Sequence, residues 1–216
     1  TFGKSIGIKI FMGCFAVYFM AIFLIMGIAL FPVLKKLFTE KYTFIIVNNY
    51  LLYWILGVFI FRFFFQKLPV MTVKPLLTLP VKRSKVVNYV LGKSALSFFN
   101  FLPLFAIVPF GITLLIKGYP TGSVLVWMLA LFVTTLISNF LNFIIESYSE
   151  ATELSFLPII VLTGGLFALN YFDIISFSQM VSNGFMAIYE NPIFMVVLVL
   201  ALIGLYIFNF KILKNK

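Results

Sequence analysis

The chain has 216 residues, 63% of them hydrophobic and only 10% charged, and carries a net charge of +10. Soluble domains hold roughly 45–50% apolar and about 25% charged residues, so this chain lacks the polar groups to coat a water-soluble globule, and its solvent must be lipid. It has no histidine and one cysteine, which excludes an intrachain disulfide, histidine metal sites and histidine acid–base catalysis.

The chain opens on Thr1 and reads as a fragment or processed form, without the small-residue cleavage site of a signal peptide. A spanning helix needs about 20 apolar residues. Long charge-free gaps predict six spans, near 10–33, 44–64, 95–116, 123–145, 154–171 and 191–210. The fifth is the shortest and holds Pro158, Gly164 and Gly165, which form a hinge or let another helix approach closely. The expected fold is all-α: a polytopic six-transmembrane-helix bundle forming a single domain over 1–216.

Orientation follows from the bases, which favour the cytoplasmic side. With the N-terminus inside, only Lys35, Lys36, Lys41 and Lys117 fall outside, against twelve of the sixteen inside. Both ends are therefore expected in the cytoplasm of a bacterial inner membrane. Arg62, near a helix end among phenylalanines, is expected to snorkel to the headgroups.

The inner connection, 66–93, is proline-punctuated and then basic: Leu79, Pro80, Val81, Lys82, Arg83 and Lys85 follow one another around Ser84. It forms either a short apolar knob with a cationic rim, fit for a groove in a cytosolic partner, or a basic loop that only fixes topology. Ser84 is expected to cap a helix running through Val86, Val87 and Tyr89 into the third span. Gly92-Lys93-Ser94 imitates the end of a phosphate-binding loop, but that loop needs a glycine at position 87, where valine stands.

Within the spans, Asn100, Thr134, Thr135, Ser138, Asn139 and Asn142 are the polar residues. They line a path or, more economically, bond across helices. Glu146, Glu150 and Glu153 share one helical face. They form an ion-pair stripe facing Lys82, Arg83 or Lys85, or a solvated surface. The outer connection, 172–190, repeats apolar residues at Ile174, Phe177, Val181, Phe185 and Ile188, the stripe of an interfacial helix. Gly184 is expected to break that helix in two.

The run LLTLPVKRSKVVNYVLGKS resembles the second-to-third helix region of ABC exporter permeases. The segments FRFFFQKLPVM, LTLPVKRSK and LGKSALSFFNFLPLF resemble a Bacteroidota family of uncharacterised membrane proteins regarded as ABC-type permeases, whose longer members make this chain an N-terminal half. That second likeness spans most of residues 1–120, and two departures stand out: Val73-Lys74-Pro75 occupy the place of the acidic-Gly-Thr opening of many coupling segments, and members of the uncharacterised family are longer than this chain.

The resemblance implies a permease subunit that exports a hydrophobic or lipid-like substrate. A separate cytosolic ABC ATPase subunit would seat Leu79, Pro80, Val81, Lys82, Arg83 and Lys85 and tilt the second and third spans. It implies a second permease half or a homodimer, the bilayer as surroundings, and no nucleic acid, cofactor, metal or catalytic residue in this chain. The alternative is a non-transporting scaffold that recruits a cytosolic protein through the basic loop.

Overall fold

A computed structural model describes residues 2–38, 43–66, 82–149 and 157–215. These are helical, with no strand among the described residues. In chain order they form α1 (Phe2–Leu37), α2 (Thr43–Phe65), α3 (Arg83–Ala95), α4 (Phe98–Phe101), α5 (Leu104–Ile116), α6 (Thr121–Ser149), α7 (Leu157–Tyr171), α8 (Phe177–Glu190), a 3₁₀ turn (Pro192–Phe194) and α9 (Met195–Asn215).

Among the described residues, five segments are long and apolar enough to cross a membrane: Ile10–Leu37, Thr43–Phe65, Phe98–Ile116, Thr121–Ser147 and Pro192–Lys214. The chain is thus an all-helical multi-pass membrane protein. The expected fifth span appears as α7, whose 15 residues reach roughly 22 Å at 1.5 Å each, short of a hydrocarbon core of about 30 Å. Its expected start at 154 lies outside the described residues.

The third expected span is not one rod. Helix α3 stops at Ala95, the single turn α4 follows, and α5 begins after Pro103. Proline has no N–H to donate and its ring crowds the preceding turn, so the path kinks there. Ser84 does not cap α3. The cap position is Lys82, which makes no side-chain capping bond, and Ser84 already lies inside the helix.

The expected outer helix is present as α8, but it runs unbroken through Gly184. A glycine costs a helix interior only about 1 kcal/mol. Burial of Phe185 and Ile188 against α2 and α6 outweighs that cost. Ile174 falls outside the helix and is exposed, while Asp173 turns the preceding loop with φ 53°.

Two apolar clusters hold the bundle. One joins α1, α2, α5, α6 and α8 through Phe31, Phe44, Leu51, Phe110, Trp127 and Phe185. The other joins α3, α6 and α9 through Val87, Val90, Leu91, Phe140, Phe143 and Leu213. Lipid-like solvent explains the rest: α1 and α9 leave most of their apolar surface uncovered, as a bilayer permits.

Candidate functional site

Arg62 on α2 and Gln66, which follows its last residue and bonds back to the Arg62 carbonyl at 2.7 Å, stand four residues apart, hence on one face. The same face holds the buried residues Leu51, Leu52, Val58 and Phe59. Arg62 therefore turns into the bundle. It is 1% exposed, which overturns the expectation that it snorkels outward. The reason is directional. A helical side chain leans toward its helix N-terminus, and for α2 that is the far end, Thr43.

The Arg62 guanidinium donates from Nη1 to the Thr135 carbonyl at 2.6 Å and from Nη2 to Asn100 Oδ1. Its Nε has no acceptor. Among the described residues it pairs with no carboxylate. Thr135 lies fourteen residues into α6, roughly 21 Å from that helix's start, so the positive charge sits deep in the bundle.

Around this cation the polar residues of four elements meet. Asn100 donates from Nδ2 to the carbonyls of Ser94 and Ala95, at 3.0 and 2.6 Å. These bonds satisfy carbonyls released where α3 ends. Gln66 donates to Asn139 Oδ1 at 3.1 Å, and Asn139 Nδ2 donates to the Ser94 hydroxyl at 2.8 Å. Thr134 and Ser138 bond back into α6 at 2.8 and 3.0 Å. Asn142 reaches the Phe59 carbonyl at 3.4 Å and leaves its Oδ1 without a partner. The layer thus ties α2, the end of α3, α4 and α6 together.

The arrangement holds no nucleophile paired with a base. What it offers is a buried cation with hydrogen-bond donors and acceptors around it. A cavity of ≈ 530 Å³ lies between α1, α2, α4 and Leu102, walled by Phe15, Phe19, Phe61, Phe65, Phe98 and Phe99. A second, of ≈ 300 Å³, lies between α1, α2, α5 and α6.

Across the full chain, residues 1–216 match the model of a family of unknown function, DUF5687. The chain belongs to that family. No curated protein and no solved structure matches it.

For this DUF5687 member, the structure separates the residues singled out by sequence. Leu79, Pro80 and Val81 lie outside the described residues. Lys82, Arg83 and Lys85 stand exposed at the start of α3, and Arg83 donates to the Lys214 carbonyl at 3.2 Å. Glu146 lies half-buried on α6, while Glu150 and Glu153 fall outside the described residues. Asn139 and Asn142 are both buried, Asn139 in an interhelical network and Asn142 on a single long bond. Gly164 and Gly165 lie within unbroken α7, exposed, and an added Cβ would meet nothing within 4 Å. Among the described residues, no neighbour therefore needs these two glycines to be small.

Arg62, Gln66 and Ser94 are the residues whose role sequence reasoning missed. The spacing of Arg62 and Gln66 in phase with the apolar face of α2 was the available signal. At the opposite end, burial and then the neighbouring Tyr119 raise the Tyr189 pKa above its ordinary value, and its ring packs on Phe44.

Asn139→Leu should cost about 1–2 kcal/mol in thermal unfolding of the detergent-solubilised protein. Interhelical bonds in membranes average about 0.6 kcal/mol, three are lost, and Gln66 and Ser94 are left wanting partners. Asn142→Leu, losing one long bond and one orphaned oxygen, should be close to neutral. Equal losses at the two positions would show that bonding is not what Asn139 contributes.

Proposed function

We propose that this chain is the membrane-spanning permease subunit of an ATP-driven, ABC-type exporter of a hydrophobic or lipid-like substrate. It works in a bacterial inner membrane, with six spans, both ends inside, a second half or copy beside it, and a separate ATPase below. The observation that carries this reading is the placement of α3. Its exposed start bears Lys82, Arg83 and Lys85, while its buried face, Val86, Val87, Val90 and Leu91, packs into the cluster that includes Phe140 and Phe143 of α6 and Leu213 of α9. A push on the basic end would pass through packed side chains to α6 and α9. That differs from the expected tilting of the second and third spans, because α3 is separated from α5 by the break at Leu96 to Pro103.

The test is a detergent pull-down of the full-length protein from native membranes, with mass spectrometry, beside the double variant Lys82→Glu/Arg83→Glu. A Walker-type ATPase should co-purify with the native protein and be lost with the variant. Recovery of a different cytosolic protein, lost in the same way, would favour a non-transporting scaffold. No charge-dependent partner at all would end the permease reading.

A further inference from the structure

Helix α1 is drawn against α5 where Gly27 meets the Ala106 backbone. Against α2 its Phe23 ring stands on Trp54, with centroids 5.5 Å apart. Beside these contacts the ≈ 300 Å³ cavity opens between α1, α2, α5 and α6. Its floor, Leu51, Ile107, Phe110, Trp127 and Leu131, is buried. Its rim is not: Tyr50 is 62% exposed, and Leu30, Leu34 and Trp54 are half-buried. Floor and rim both belong to segments long and apolar enough to cross a membrane, so the mouth faces hydrocarbon.

No polar surface faces into this cavity. The Trp127 Nε1–H is taken by Asn48 Oδ1 at 3.0 Å. Buried water needs polar partners, and the wall supplies none. An empty cavity would forfeit dispersion contacts along its whole lining. The remaining occupant is the solvent on which the mouth opens. An apolar cavity of about 150 Å³ stays dry and takes up benzene. By that ratio ≈ 300 Å³ holds about a dozen carbon atoms, enough for one chain.

We infer that this cavity is a binding site for one hydrocarbon chain of a bilayer lipid, which enters between α1 and α2 and leaves its head outside. The wall reads bulk and shape, and no group in it reads a head. The site goes beyond the permease reading and does not depend on it, since binding needs neither an ATPase nor a second half.

The chain's two tryptophans, Trp54 and Trp127, both line the cavity, so their emission reports on it directly. The test reconstitutes the full chain carrying Trp54→Phe into vesicles of phosphatidylcholine brominated in mid-chain, beside the same lipid without bromine. Bromine quenches indole on contact, and Trp127, at 1% exposed, meets a lipid chain only through the cavity. Trp127 should lose most of its emission in the brominated vesicles. Phosphatidylglycerol with the same brominated chains should quench it equally. Val47→Phe, which fills the cavity from α2, should restore the emission, and Ile107→Phe, filling it from α5, should act alike. An unchanged emission wavelength in unbrominated vesicles reports that each variant is folded. Full emission of Trp127 in brominated vesicles would overturn the proposal, and that reading needs neither filling variant to fold. A preference for one head, or quenching that survives in a folded filling variant, would overturn it as well.

Discussion

Trp127→Ala should destabilise the protein by about 3–5 kcal/mol, the range for deleting a fully buried tryptophan. It should lower the unfolding midpoint in detergent by about 10 °C. The indole is 1% exposed and packs on Phe44 and Phe110, with ring centroids 5.3 and 5.9 Å away. Its Nε1–H donates to Asn48 Oδ1 at 3.0 Å. Truncation therefore opens a cavity among three helices and orphans a buried acceptor. Trp127→Phe keeps most of the ring and loses only the donor, so it should cost about 1–2 kcal/mol. If the two variants unfold together, the hydrogen bond rather than ring packing carries the effect.

Gly27→Ala should cost about 2 kcal/mol or more, although alanine is the better helix former by roughly 0.5–1 kcal/mol. A Cβ at Gly27 would stand 2.3 Å from the Ala106 carbonyl oxygen and 2.7 Å from its Cα. Both are backbone atoms, which cannot rotate away, so α1 and α5 must separate. Gly13 on the same helix meets nothing within 4 Å, and Gly13→Ala should be neutral or slightly stabilising. Thermal unfolding of the two variants side by side decides the matter. Equal stability would show that the α1–α5 approach is not fixed.

Five of the six expected spans are legible because lipid demands long charge-free runs, and those survive any arrangement of the helices. The facing of each helix was less legible. Helices such as α1 and α9 are apolar all round, and an all-round pattern carries no phase. Where a polar face exists, as on α8, the buried stripe of Phe185 and Ile188 could be read directly. The error at Gly184 came from weighting one local preference above packing. Arg62 reads as a terminal residue by its distance from the helix end, whereas its phase with Leu51, Val58 and Phe59 turns it inward. Ser94 was hidden inside a Gly-Lys-Ser triplet whose other meaning had to be rejected first. Its partner Asn139 is forty-five residues away, beyond the reach of any local pattern.

The close approach at Gly27 also constrains how α1 could move. Its strongest attachment is to α5, while toward residue 10 it meets α2 through rings such as Phe15 on Phe65 and Phe19 on Phe61, with centroids 5.7 and 4.9 Å apart. Aromatic faces slide more readily than interlocked backbones part. Gly27 is thus the tightest point of contact between α1 and α5 and the natural fulcrum for any rocking of the helix. From there to Ile10 the arm measures roughly 25 Å, so a rock of about 10° swings its tip through roughly 4 Å, about the thickness of one hydrocarbon chain.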